Sequence, residues 1–93
     1  LARQGRSEIT DYHVALAKYE EARINWRDDR VSQAVTGFEA VTVALPEFDD
    51  AWYYLGESRY ATGDIEGART AFTRCLKLNQ NYGRASEGLQ RLE

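Results

Sequence analysis

The chain has 93 residues, 43% hydrophobic and 29% charged, a balance that fits one small globular domain with a buried core and excludes a disordered segment. Twelve Lys and Arg against fifteen Asp and Glu leave a net charge of −3, so the basic field that a nucleic-acid binder needs is missing. No apolar run approaches the roughly 18 residues of a spanning helix, and no charged-then-apolar leader precedes a small-residue cleavage site, so no membrane insertion is expected.

Residues 8 to 27 read as a first helix, because Ile9, Tyr12, Leu16, Tyr19, Ala22 and Trp26 return at three- and four-residue intervals without an interrupting Pro or Gly. Ser7 is the expected N-cap. Asp28-Asp29 reads as a turn whose carboxylates can cap a second helix from Arg30 or Val31, with Ala34, Val35, Phe38, Val41 and Leu45 on its buried side. Pro46 ends that helix, since proline cannot continue the bond ladder and disfavours helical geometry in its predecessor. Asp49 and Asp50 place negative charge at the start of a third helix over Ala51 to Tyr60. Gly63 follows as its C-terminal stop and Asp64 as the cap of a fourth helix bearing Ile65, Ala68, Phe72, Cys75 and Leu76. A last helix carries Ala85, Leu89 and Leu92 on one side and charge elsewhere, as a cap over an open end requires, and Gly88 in its middle should make it fray most easily.

Ala17/Ala51, Tyr19/Tyr53, Ala34/Ala68, Thr36/Thr70 and Phe38/Phe72 are identical pairs at one constant offset of 34 residues. A fixed period of this size marks stacked helical hairpins, and the expected fold is all-α: a solenoid of two antiparallel hairpins plus a C-terminal capping helix. Hairpins that bury their apolar faces only by stacking generate a binding groove rather than a catalytic cleft.

Chemistry-bearing motifs are scarce. Glycine-rich phosphate loops, Gly-x-Ser-x-Gly turns and His-Glu-x-x-His helices are missing, so neither enzymatic activity nor a cofactor or metal is expected. The only histidine, His13, reads as a solvated or interfacial side chain, and the Asp28-Asp29 and Asp49-Asp50 pairs read as helix caps rather than calcium ligands. The single cysteine, Cys75, rules out an internal disulfide; it lies in an apolar stripe and reads as core.

Trp52-x-x-Leu55-Gly56, followed by Tyr60, Gly63-Asp64, Ala68, Phe72 and Cys75, resembles the tetratricopeptide repeat, with Arg59 in the place of the family's usual tyrosine. The upstream unit resembles it more faintly through Ala22, Ala34, Phe38, Val41 and Pro46, with Glu21 in the slot of Leu55, Lys18 in that of Trp52 and Asn25 where a tyrosine is usual. The resemblance implies an N-terminal extension over 1–14, repeats over 15–48 and 49–82, and a capping helix over 83–93. Leu1 in place of a methionine suggests a segment of a longer protein. Similar proteins hold extended or helical peptides of partner proteins along a concave face. The peptide-binding residues so implied are Tyr19, Arg23, Trp26, Tyr53, Tyr54, Glu57, Tyr60 and Arg84, with Leu16, Glu20, Arg27, Glu87 and Arg91 around them. A subgroup that clamps a C-terminal carboxylate uses lysines and asparagines at positions held here by Tyr19, Arg23, Tyr54, Arg84 and Gly88; only Arg84 keeps the charge, which argues against that clamp.

The resulting expectation is a protein-interaction module with a protein or peptide partner. Two alternatives stand beside it. Tyr19/Tyr53 and Trp26/Tyr60, at equivalent places in the two hairpins, can pack on one another between repeats instead of binding. A Leu16/Tyr19/Trp26 stripe can instead stack the segment on further repeats of its parent chain or on a second copy.

Overall fold

The computed structural model describes the backbone of residues 2–93 and the side chains of residues 11–93. Five helices follow one another: α1 (Ala2–Arg27), α2 (Val31–Ala44), α3 (Asp49–Ala61), α4 (Ile65–Leu78) and α5 (Gly83–Arg91). α1 pairs with α2 and α3 with α4, α2 joins the hairpins through α3, and α5 closes on α3 and α4. The stack measures 49 × 29 × 18 Å, and no strand occurs among the described residues. This is the all-α pattern of helical hairpins with a capping helix that a short solenoid requires.

The first helix begins at Ala2 rather than at residue 8, so Ser7 lies inside it and is not its cap. Ala2, Arg3 and Gln4 are good helix formers, no proline interrupts them, and Gly5 alone does not stop propagation. The side chain of Ile9, where the apolar stripe was expected to start, lies outside the described residues.

The two hairpin turns solve the same problem with different residues. Asp29 (φ 64°) and Gly63 (φ 85°) stand 34 positions apart and both take the left-handed conformation. Asp is among the few non-glycine residues that tolerate it. The expected capping of α2 by Asp28 or Asp29 does not occur: the cap position is Arg30, without a side-chain cap bond, and Asp28 accepts from Arg27 Nε at 3.0 Å and pairs with Arg30. Two adjacent guanidinium groups, those of Arg27 and Arg30, take the Asp28 carboxylate instead. Asp64 does cap α4, accepting from Gly67 N at 2.9 Å. α2 stops at Ala44 ahead of Pro46, and Asp49 and Asp50 occupy the first turn of α3.

Packing repeats with the sequence. Tyr19 lies 6.0 Å from Phe38 and 4.6 Å from Phe48, and at the same offset Tyr53 lies 6.1 Å from Phe72 and 5.3 Å from Tyr82. The two wedges differ in what receives them. Phe38 stacks on Tyr54 at 5.6 Å, whereas Phe72 fills the space left by Gly56 and Gly88, where an added Cβ would stand 2.6 Å from its ring. Arg59 ties the hairpins together by donating to the Gly67 carbonyl at 3.2 Å and to Glu39 at 3.1 Å. Cys75 is fully buried, as expected of a core position.

Gly88 therefore serves the close approach of α5 to the Phe72 ring. Gly88→Ala gains roughly 1 kcal/mol of helix propensity, but it drives a methyl group into a ring that is itself fully buried. Overpacking of this kind costs about 1–3 kcal/mol, so a net loss of stability is expected. Urea denaturation of Gly88→Ala beside the wild-type chain measures it, and a raised midpoint would contradict the packing argument.

Candidate functional site

The offset of 34 residues puts Tyr19 on α1 and Tyr53 on α3 at equivalent places, with Tyr54 next to Tyr53 and Tyr82 just before α5. Tyr54 stands between them, its ring 6.3 Å from Tyr19 and 5.0 Å from Tyr53, and Tyr53 passes the contact on to Tyr82 at 5.3 Å. The result is a continuous run Tyr19–Tyr54–Tyr53–Tyr82. Offset and edge-to-face contacts of this kind suit the ring quadrupoles and hold the rings rigid.

Two arginines lie on this run. Arg23 stands over Tyr19 at 5.7 Å and over Tyr54 at 5.5 Å, and Arg84 over Tyr53 at 4.8 Å and over Tyr82 at 5.8 Å. Both are exposed. Attraction between a guanidinium and a ring face orients the side chain while its N–H groups still point to water. Arg23 has a neighbour in Glu20 at 3.7 Å, whereas no ion pair holds Arg84 among the described residues.

The other expected residues join at the margins. Glu57 forms an ion pair with Arg91, whose guanidinium lies 5.2 Å from the Tyr60 ring. Tyr53, Glu57, Arg84, Glu87, Gln90 and Arg91 line one open depression of about 620 Å³. Trp26 borders a second depression of about 380 Å³, beside Glu20, Arg23, Ile24, Arg27 and Tyr54. Tyr19 and Tyr53 are only 6% and 9% exposed, so they hold the surface together from beneath, while Arg23, Tyr54 and Arg84 present it.

Tyr82 and Asp50 were not anticipated in this cluster. The Tyr82 hydroxyl donates to Asp50 at 2.5 Å and fixes α5 against the start of α3. The signal was available, because Tyr82 follows Phe48 by the same 34 residues and repeats its contact with the equivalent tyrosine.

Burial shapes the titration of the cluster. Burial raises the Tyr19 phenol, and the charge of Asp50 adds to it; burial and then Glu57 raise Tyr53. Burial and the bond to Asp50 raise Tyr82, and burial pushes the Cys75 thiol up to about 12, with help from Asp49 and Asp50.

Residues 49–82 match the tetratricopeptide repeat family, so one such repeat is identified over that fraction of the chain. No curated protein matches the chain. Among the described residues, no group of three or more His, Cys, Asp or Glu is placed to hold a metal ion, and no helix is long and apolar enough to cross a membrane.

The raised tyrosines and Cys75 carry a sign. Each group holds its proton more tightly in the folded chain, so its contribution is complete below the unfolded pKa and is lost as pH rises through the folded one. Unfolded thiols titrate near about 8.5 and phenols near about 10. These four groups should therefore leave the urea midpoint unaffected up to about pH 8 and lower it increasingly between pH 9 and 11. A midpoint constant across that upper window would show that these groups are not held as described.

Proposed function

We propose that the chain is a protein-interaction module that holds a peptide segment of a partner protein in a concave, aromatic-lined groove, through Tyr19, Arg23, Trp26, Tyr53, Tyr54, Glu57, Tyr60 and Arg84. The observation that carries the reading is the pair of exposed arginines held over four mutually packed tyrosines. A surface ordered before the partner arrives loses little side-chain entropy on binding, and arginine and tyrosine are the residue types that dominate interface energetics. Affinity would come from burial against Tyr54, Trp26, Tyr60 and the arginine stems, with orientation set by the guanidinium donors. The repeat identified over 49–82 supports the architecture. The same reading divides the chain into an extension over 1–14, a first repeat over 15–48, that second repeat, and the cap over 83–93.

Arg23→Ala with Arg84→Ala tests the reading. Tyr53→Ala does not serve, because removing a nearly buried ring from the core costs several kcal/mol, about 3–5 for large aromatic residues. The arginine double variant should keep its helical circular dichroism and lose a captured partner about 30- to 1,000-fold, two truncations of about 1–2 kcal/mol each. Equal retention by a folded double variant would remove the assignment.

A second reading, a structural segment that stacks on its parent chain or on a second copy, has its own observation. Tyr12, Leu16, Ala44, Leu45, Pro46, Glu47 and Phe48 line a mostly apolar depression of about 370 Å³ where α1 runs past the end of α2, and Tyr12 is 50% exposed. Its original support is weaker, since Tyr19 packs against Phe38 and Phe48 inside the chain. A further depression on the first hairpin, lined by Lys18, Glu21, Asn25, Ser32, Gln33 and Thr36 around Ala22, Gly37 and Ala40, also exposes more apolar than polar surface. Sedimentation decides: mass rising with concentration, and abolished by Tyr12→Asp, would favour this reading, and a monomer throughout would exclude self-association.

A further inference from the structure

The exposed side of α4 shares no residue with the tyrosine run. Arg69, Thr70, Thr73, Arg74 and Lys77 recur there at three- and four-residue spacing and line an open depression of about 380 Å³. The lining contains three cations, two hydroxyl groups and no carboxylate. On a chain of net charge −3 this is a local reversal of sign.

Ion pairing does not cancel it. Arg27 and Arg30 share Asp28, Arg59 meets Glu39 and Arg91 meets Glu57, but on α4 Arg69 has only the exposed Glu66 at 3.8 Å. No ion pair holds Arg74 or Lys77 among the described residues. Arg74 instead stands over the Trp52 ring at 5.8 Å, and that indole is anchored by donating to the Pro46 carbonyl at 2.9 Å. Thr70 is occupied as a donor, bonding the Glu66 carbonyl at 3.0 Å, and so offers an anion only Thr73 as its hydroxyl donor. The geometry is that of a cation fixed on an aromatic platform with its donors turned outward.

We propose that this strip of α4 docks an acidic segment of a partner protein, whose carboxylates take Arg74 and Lys77 as principal contacts with Arg69 and Thr73 beside them. From Arg69 to Lys77 the helix advances about 12 Å, enough for two or three carboxylates. Charge complementarity selects a short acidic segment over a nucleic acid or an anionic membrane, because an extended polyanion would also meet the net negative field of the remaining surface. The site is separate from the tyrosine face, so one chain could hold two segments at once.

The test is anisotropy of a fluorescein-labelled peptide of ten glutamates, titrated with the whole chain at low salt. Binding should weaken about tenfold in Arg69→Gln/Arg74→Gln/Lys77→Gln, a loss of about 1.4 kcal/mol, and should fall as salt screens the charges. Arg23→Ala/Arg84→Ala should bind the peptide as the wild type does, which separates this site from the tyrosine face. In a Trp26→Phe background the peptide should change Trp52 emission. No binding by the wild type, equal binding by the triple variant, loss only in Arg23→Ala/Arg84→Ala, or binding to phosphatidylserine vesicles in place of the peptide would each overturn the proposal.

Discussion

Phe72 entering the space above two glycines is the contact on which the second half of the stack depends. Gly56 belongs to α3 and Gly88 to α5, so one ring on α4 brings three helices to their closest approach. The same ring lies 6.1 Å from Tyr53, which carries Arg84 on its outer side. The exposed guanidinium is thus positioned by a chain of packed rings that ends in the core. In the first hairpin Phe38 plays the corresponding part, but the residue 34 positions before Gly88 is Tyr54, and stacking on that ring turns a core contact into a surface feature. Gly56 likewise answers to Ala22, and of the two exchanges it is Gly88 against Tyr54 that makes the middle of the stack aromatic while its C-terminal end stays closely packed.

The repeat was legible because packing imposed it on the sequence. Identical residues at one offset marked positions whose surroundings recur, and the ring contacts of Tyr19 and Tyr53 recur with them. Turn chemistry was less legible. Asp29 and Gly63 share a backbone conformation that the sequence expresses once through an aspartate and once through a glycine, and an aspartate before a helix looks the same whether it caps or turns. The start of α1 was hidden for another reason: helix-forming residues continue upstream of any capping signal, and nothing in Ala2 to Ser7 says stop. Gly88 looked like a flaw in a helix because propensity is a local property, whereas its cause is a ring from α4.

For the candidate site, the sequence gives positions but not partners. It placed tyrosines and arginines on the first helices of the hairpins, yet it could not distinguish the nearly buried Tyr19 and Tyr53 from the half-buried Tyr54, since Tyr53 and Tyr54 are neighbours in one turn of α3 and Tyr19 repeats Tyr53 on α1. Pairing of Arg84 with two rings and of Glu57 with Arg91 depends on how α5 settles on α3, which no local pattern specifies. Arg59 illustrates the same limit. It stood out as a departure where the family carries a tyrosine, and its role as a bridge to Glu39 and Gly67 emerges only when α2, α3 and α4 are assembled. The structural role of the tyrosines and their proposed binding role are therefore compatible, because the buried rings order the exposed ones.

The central claim is that the ordered tyrosine–arginine face is where a partner segment lies. Chemical-shift mapping of the isotopically labelled chain, titrated with a partner segment recovered by it, tests this most directly through the side-chain Nε–H signals of Arg23 and Arg84. Both signals and the amides around Tyr53 and Tyr54 should move together with the same affinity. Saturable shifts confined elsewhere, with those arginine signals unmoved, would contradict it.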